Sequence, residues 1–283
     1  MFHVEVSGDI VPHLDKWTRF DGLEDFTVSE AGAVEITLSR ERSGDNWIAL
    51  PPDDRLCGVL VRQYFYDWDS EDPAELYIER VGASYPPPPY SLDRARAGWD
   101  LLGDFFDTVP PVCARAVEAY YAADPHVIPF APLPFGWKDL SYGMGHFRCD
   151  RDDAVILEVR PPECEYWGFQ LMNHQWEALD WHLRQTSLNG HQARIDRDGV
   201  FRAVISHRDP GVHNWLDPAG RTVGLIAGRY FRPPLDVSPA RLTTVPFDSL
   251  DDHLEPGTER VDKAQRDEAL RRRMLSVRRR RCD

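Results

Sequence analysis

The sequence has little cysteine and no long apolar run, and each absence removes a class of protein. Its five cysteines are widely spaced and form no CxxC pair, so neither a zinc knuckle nor a disulfide framework is predicted. No apolar run approaches the roughly 20 residues that a membrane-spanning helix needs. The amino terminus has neither a basic nor a long apolar region, so we expect no secretory signal and a chain that begins close to its first strand. A location in the reducing cytoplasm, away from the membrane, is the simplest prediction.

Several motifs of common enzymes are also absent. There is no HExxH pair for zinc and no Gly-x-Ser-x-Gly elbow for a nucleophilic serine. Gly143-Met144-Gly145-His146 is too short to be a nucleotide fingerprint. The sequence therefore predicts no cofactor.

The charge is divided unevenly along an acidic chain. The net charge is −14, yet residues 259–283 carry ten Lys or Arg against five Asp or Glu. An acidic body repels nucleic acid, because binding depends on neutralising phosphates. The run Arg278-Arg279-Arg280-Arg281 is therefore expected to be solvated or paired with the acidic body, and contact with a partner is the alternative. A homo-oligomer is compatible with the composition.

Two stretches of the chain share one design. Asn46-Trp47 and Asn214-Trp215 each follow an alternating run that ends in a serine, over residues 34–39 and 201–206. Each stretch then closes on an Arg followed by a Tyr-Phe pair, as Arg62-Gln63-Tyr64-Phe65 and Arg229-Tyr230-Phe231. An internal repeat of this kind predicts two copies of one β-rich unit. The duplicated Asn-Trp pair is expected to be structural, since both copies carry it.

The predicted fold is mainly β, with two related β-sandwich (jelly-roll-like) units, a helical insert and a C-terminal helix. The first unit covers residues 1–85 and the second covers residues 150–235. Residues 86–149 hold a proline-rich link, a helical insert and an aromatic loop, and residues 236–283 hold an Arg-rich helix.

Finer expectations concern individual segments. Pro110-Pro111 is expected to divide the insert into two helices. Residues 124–147 are expected to form a long ordered loop, because proline, glycine and aromatic residues are frequent there. Further strands are expected around residues 76–78 and 192–195.

The second copy resembles a known family, the DUF1214 domain, over roughly residues 150–232. The resemblance lies in Tyr166-Trp167-Gly168-Phe169-Gln170-Leu171 and in Asn214-Trp215-Leu216-Asp217-Pro218-Ala219-Gly220 leading to Gly228-Arg229-Tyr230-Phe231. It implies a β-sandwich of jelly-roll character and no agreed activity. The first copy departs from this pattern and is interpreted as a diverged duplicate.

Histidine is concentrated in the second copy alone, which is the asymmetry expected of a functional site. The five residues are His174, His182, His191, His207 and His213. One hypothesis makes His174, His191 and His207 general bases or metal ligands, with Arg229 steadying an anion. The bland alternative is that these histidines only satisfy polar needs of the fold.

Aromatic and amide side chains accompany the histidines. Trp176 and Trp181 lie near Asn173 and Asn189, a mixture that suits carbohydrate-like or polycyclic ligands. A hairpin with an exposed edge is the alternative, because Asn189-Gly190 is a turn signal. We assign ligand contacts to these four residues and to two aromatics of the repeat, Trp215 and Tyr230. The leading hypothesis is a soluble small-molecule binding protein, and an enzyme on the same surface is the alternative.

An acidic run follows the Tyr-Phe ending inside the first copy. Asp67-Trp68-Asp69-Ser70-Glu71-Asp72 has alternating carboxylates that suit calcium, but it lacks the EF-hand spacing. A solvated acidic loop is the favoured interpretation.

Overall fold

The structure is a computed structural model that describes residues 2–8, 17–51, 57–132 and 139–280. Over these residues the fold is mainly β, as the alternating runs predict. The first-copy strands are β1 (Phe2–Gly8), β2 (Trp17–Gly22), β3 (Thr37–Ser39), β4 (Trp47–Ala49) and β5 (Cys57–Gln63). The later strands are β6 (Val127–Ile128), β7 (Phe130–Pro132), β8 (Leu140–Arg148), β9 (Asp153–Val159), β10 (Tyr166–Met172), β11 (Ser187–Asn189), β12 (Phe201–Ser206), β13 (Trp215–Leu216), β14 (Val223–Phe231) and β15 (Ala240–Pro246). The helices are α1 (Leu92–Ala122) and α2 (Lys263–Arg279), with short 3-10 turns at Leu23–Asp25 and Phe247–His253.

The chain divides into two compact units. Unit 1 comprises residues 1–64 and 72–113, and unit 2 comprises residues 65–71 and 114–283. Unit 2 thus includes residues 65–71, a short segment from within the predicted first copy. The boundary in the insert falls inside α1, after Cys113.

Unit 1 contains two small sheets. Strands β2, β1 and β5 form an antiparallel sheet, and β3 pairs with β4 in parallel. Its core cluster is small, with Val4, Phe26 and Ile48 buried. A core of this size stabilises far less than that of unit 2, because hydrophobic stabilisation scales with the apolar area buried.

Unit 2 contains two five-stranded sheets, ordered β11-β10-β14-β8-β7 and β13-β12-β9-β15-β6. A single hydrophobic cluster takes side chains from both, including Phe169 and Tyr230 from one sheet and Leu157 and Phe201 from the other. Each sheet therefore supplies one face of the same core.

The repeat in the sequence is also a repeat in backbone pairing. Thr37 lies opposite Trp47 in the parallel pair of unit 1, and Val204 lies opposite Trp215 in that of unit 2. The antiparallel sheets match as well. Phe2 lies opposite Gln63 and Gly168 lies opposite Arg229, and both partners directly precede the tyrosine of the Tyr-Phe ending.

The duplicated asparagine clamps one backbone residue in each copy. Asn46 accepts a hydrogen bond from the amide of Thr27 and donates to its carbonyl, both at 2.8 Å. Asn214 does the same to Arg194, at 2.9 and 2.6 Å, and also donates to the carbonyl of Arg202 at 2.8 Å. These contacts give the asparagine the structural role that the repeat indicated.

The duplicated tryptophan is anchored through its indole N–H. Trp47 donates to the hydroxyl of Ser39 at 2.8 Å, and Trp215 donates to the carbonyl of Ser206 at 3.0 Å. Both acceptors belong to the serine that ends the alternating run. A buried indole N–H needs such a partner.

Several segment predictions are wrong. α1 continues through Pro110-Pro111, because a long helix can lose a backbone bond at proline without ending. Residues 76–78 lie outside the strands. Residues 192–195 also lie outside them, since the Gln192 and Ala193 amides donate to the Asn189 carbonyl and Ile195 forms an isolated bridge with Phe201.

The predicted loop at 124–147 contains three strands, β6, β7 and β8, while its residues 133–138 lie outside the described residues. β8 is an interior strand between β7 and β14. Its glycines belong there because a Cβ on Gly143 would come within 2.6 Å of the Phe130 ring. Glycine in a strand often marks such a close approach, which conceals the strand from composition.

Candidate functional site

Most of the predicted site residues of unit 2 lie in two places, a turn after β10 and the contact surface of residues 65–71. Asn173, His174 and Trp176 belong to a tight turn after β10. Trp181, Asn189 and His191 contact residues 65–71, which we call the 65–71 segment.

The turn after β10 is built around one buried amide. The Asn173 side-chain oxygen accepts hydrogen bonds from the backbone N–H groups of Gln175 at 3.0 Å and Glu177 at 2.9 Å. Trp176 has a positive φ of 67°, which is uncommon for a bulky residue, and its ring meets Tyr120 edge to face at 5.8 Å. His174 is exposed and contacts the neighbouring amide side chain. The turn is rigid, and Trp176 packs instead of standing free.

Asn189 fastens the 65–71 segment to the β11 end. It is buried, and its side-chain nitrogen donates to the carbonyls of Phe65 at 3.3 Å and Tyr66 at 2.9 Å. Its oxygen accepts from the amides of His191 at 3.0 Å and Gln192 at 2.9 Å. The predicted ligand residue is thus saturated by backbone groups, so its role is to position the segment.

His191 faces a carboxylate of the segment. Its Nε2 lies 3.5 Å from Asp67 Oδ1, and its ring lies 6.1 Å from that of Tyr66. A hydrogen bond from the Ser70 hydroxyl, followed by one from the Asp69 amide, lowers the pKa of Asp67. Asp67 is therefore ionised at neutral pH and can orient the half-exposed imidazole.

The next residue of the segment reaches the predicted Trp181. Trp68 and Trp181 meet edge to face with centroids 5.7 Å apart, and both are partly exposed. The guanidinium of Arg273 lies 4.8 Å from the Trp68 ring centre and donates to the carbonyls of Trp181 at 2.9 Å and Ser187 at 2.6 Å. Burial lowers the pKa of Arg273 to about 10, which leaves it charged at neutral pH.

Helix α2 holds the segment from the other side. Asp69 accepts from Arg272 at 3.0 Å and from the Ser276 hydroxyl at 2.6 Å, and its carbonyl accepts from Arg279 at 2.7 Å. The Arg280 guanidinium lies over the rings of Phe65 and Trp68. The acidic run is therefore paired with the basic tail, in agreement with one expectation for the tail. This corrects the solvated-loop interpretation. It also argues against a calcium site, because the Asp69 carboxylate already accepts hydrogen bonds from Arg272 and Ser276. Arg281 lies outside the described residues.

The predicted catalytic residues His207 and Arg229 contact other groups than His191. His207 Nε2 bonds to the Cys149 carbonyl at 3.0 Å, and the Arg229 guanidinium lies 5.8 Å from the Tyr142 ring centre. Within the described ranges, no group of three or more His, Cys, Asp or Glu side chains is placed to hold a metal ion. The metal-ligand hypothesis for these histidines therefore gains no support.

Trp215 and Tyr230 are core residues, which corrects their assignment as ligand contacts. Tyr230 is completely buried with its ring 4.3 Å from that of Phe130, and burial raises the pKa of its hydroxyl. Trp215 is buried beneath the Arg266 guanidinium at 5.1 Å. Neither side chain is placed on a surface that a ligand can reach.

Sequence reasoning missed the contribution of Tyr66, Trp68 and Arg273. A signal was available, because the acidic run is interleaved with aromatic residues while the tail that meets it is basic. The sequence indicated pairing of the tail with the acidic body in general, but not with this run, whose Asp69 is 203 residues from Arg272 along the chain.

Comparisons with known proteins show the fold of this chain without an activity. No protein-family model and no curated protein matches it. The chain is similar to a crystal structure of an uncharacterized protein from Burkholderia cenocepacia, with 27% identity and a TM-score of 0.78, over 88% of this chain and 70% of that one. A protein from Vibrio parahaemolyticus is matched at 10% identity and a TM-score of 0.33, over 56% of this chain and 47% of that one. No helix of the described ranges is long and apolar enough to cross a membrane. The chain therefore shares a β-rich fold with a solved bacterial protein.

Proposed function

We propose that the protein binds a small molecule, carbohydrate-like or polycyclic, on unit 2. The surface, which we call the segment surface, comprises Asp67, Trp68, Trp181 and His191. One observation carries the proposal: the consecutive residues Asp67 and Trp68 reach His191 and Trp181, respectively. An ionised carboxylate and an imidazole are thereby joined to two partly exposed indoles.

The chemistry of these groups suits such ligands. Indole faces pack against the apolar face of a sugar or a polycyclic ring, while a carboxylate and an imidazole accept and donate hydrogen bonds at its edge. The contacts of Arg272, Arg273 and Arg279 with the 65–71 segment hold it in place before any ligand binds. Fixing the surface in advance favours affinity, because less conformational entropy is lost on binding.

A titration tests this proposal with two probes, an oligosaccharide panel and the polycyclic dye anilinonaphthalene sulfonate. The variant is Trp181→Phe, which keeps an aromatic ring but shortens the contact. We expect affinity for the bound probe to fall roughly tenfold, the scale of one aromatic contact. Trp176→Phe is the matched control, because that residue packs on Tyr120. Equal affinity of both variants and wild type, or binding of neither probe class by the wild type, would reject the proposal.

An enzyme on the same surface is the second candidate, favoured by the Asp67–His191 pair. An imidazole oriented by an ionised carboxylate can serve as a general base, and 3.5 Å is a spacing that can tighten when substrate binds. Turnover of nitrophenyl esters and nitrophenyl glycosides by wild type and His191→Gln separates the candidates. Loss of turnover with binding retained supports catalysis. Loss of affinity without any wild-type turnover supports a binding protein.

We also propose an architecture, a family and a cellular location for the protein. The first is that unit 2 is a sandwich of jelly-roll character, supported by a core shared between its two sheets. The second is kinship with the DUF1214 domain, supported by the Asn-Trp-Leu and Tyr-Phe motifs of β13 and β14. The third is a cytoplasmic location, supported by the free thiols of Cys57, Cys113, Cys149 and Cys164.

A further inference from the structure

Helix α1 carries an apolar repeat that alternates between spacings of three and four residues. The nine positions are Leu92, Ala95, Trp99, Leu102, Phe106, Val109, Cys113, Ala116 and Tyr120. This is the a and d pattern of a heptad, sustained over four heptads. The pattern places these side chains along one seam of the helix, and we call it the α1 seam.

The seam is exposed at four of its nine positions, all in its first half, and partly buried at the other five. All 31 residues of α1 are described and none is buried. Leu92, Trp99, Leu102 and Phe106 expose between 41% and 77% of their surface. Near the end of the helix the seam meets another element, where the Tyr120 ring contacts Trp176 at 5.8 Å. Large apolar side chains in a row, left in water, mark an interaction site.

The helix is also a poor one on its own. Gly98, Gly103, Pro110 and Pro111 lie inside it. Relative to alanine, two interior glycines and two interior prolines cost on the order of 8 kcal/mol of helix stability. Most helix stability in proteins comes from packing of an apolar face. A 31-residue α1 therefore needs a surface against which the seam can pack.

We infer that α1 docks on the α1 helix of a second copy of this chain. A heptad seam is complementary to another helix with the same repeat, because each side chain fits between residues of the facing seam. Two identical chains satisfy that requirement automatically, and the resulting contact is symmetric and closed. The inference concerns assembly and is independent of the segment surface.

The exposed apolar area is sufficient for such a dimer. A large aromatic side chain buries 150–250 Å², so Trp99 and Phe106 together offer roughly 250 Å² at their exposure, and Leu92 and Leu102 about as much again with their neighbours. The seam thus offers roughly 500 Å² per partner, or roughly 1,000 Å² for both, which is the lower bound for a specific protein interface.

The test is the molar mass of the full chain by light scattering after size exclusion. Wild type is expected at twice the 32.5 kDa chain mass. Trp99→Glu combined with Phe106→Glu places two charges on the seam and should give the monomer mass. Ala97→Glu is the matched control, since Ala97 is exposed, lies off the seam and belongs to the same helix; this variant should remain a dimer. A wild-type chain that runs as a monomer, or a dimer that survives the double variant, overturns the inference.

Hydrogen exchange on the wild type guards against misfolded variants. Amide protection of residues 92–112 should rise with protein concentration, because dimer formation covers the seam. Protection that is high and independent of concentration would mean that another part of the same chain covers α1, and it would overturn the second-copy assignment.

Discussion

Replacing Asn214 by alanine should destabilise unit 2 more than the equivalent replacement of Asn46 destabilises unit 1. Asn214 is buried and makes three hydrogen bonds to backbone groups of Arg194 and Arg202. Asn46 is only half-buried and makes two, both to Thr27. Water can replace the lost partners of Thr27 more easily than those of Arg194.

The magnitude follows from those bonds. Each intramolecular hydrogen bond contributes roughly 1 kcal/mol net, and a buried backbone group left without a partner costs more. Asn214→Ala should therefore cost roughly 3 kcal/mol, and Asn46→Ala about 1 to 2 kcal/mol. For a unit of this size, 3 kcal/mol lowers the melting temperature by roughly 6 to 12 °C.

Calorimetry with hydrogen exchange measures both effects and assigns each to its unit. Asn214→Asp is an informative companion, because it keeps the oxygen that accepts from Arg194 and removes the nitrogen that donates twice. The stability of Asn214→Asp should lie between those of wild type and Asn214→Ala, or approach that of the alanine variant. If Asn46→Ala and Asn214→Ala had equal effects, or if Asn214→Ala were neutral, the clamp would not be the reason that both copies contain this asparagine.

Two further predictions concern unit 2. Gly190→Ala should cost about 1 to 3 kcal/mol, because its Cβ would overlap Tyr66 Oη and Trp167 Nε1; adding Tyr66→Phe should recover part of that loss in thermal melts, and no recovery would argue against the overlap. Burial lowers the pKa of His213 below its ordinary 6.5, so the folded state resists the proton that the unfolded chain accepts. Stability present above pH 6.5 should therefore be lost as the pH falls through the lowered value, and His213→Gln should flatten that dependence in urea titrations; an unchanged slope would contradict it.

The sequence predicted the parts of the fold that depend on local patterns. Alternation of period two identified β3 and β12, because a half-buried strand imposes that period on its own residues. The Asn-Trp pairs identified the repeat, since each asparagine and tryptophan is anchored to backbone and serine groups of its own copy. The parallel pairing of β3 with β4 and of β12 with β13 was not predictable from alternation, which carries no information about strand direction.

The errors arose where distant residues decide the local conformation. β8 seemed to be a loop because Gly143 and Gly145 make room for Phe130 and Ile128 of preceding strands. α1 was divided at Pro110, because a proline predicts an end without revealing how many other bonds support the helix. In both segments the composition was interpreted without the neighbour that explains it.

The candidate site was also only partly predictable, because it combines residues that are distant in the chain. Histidine asymmetry pointed to the second copy, and His191 there faces an ionised carboxylate. Its partner Asp67 lies just beyond the Tyr-Phe ending of the first copy, in the 65–71 segment. After the second Tyr-Phe ending the chain instead enters Arg232, which pairs with Asp139 and Glu165. What distinguishes the copies chemically is therefore the chain that leaves each repeat as much as the residues inside it. Comparing the histidines of the two copies identified His191, but it did not identify Asp67 and Trp68, because these residues reach His191 and Trp181 through contacts between distant parts of the chain.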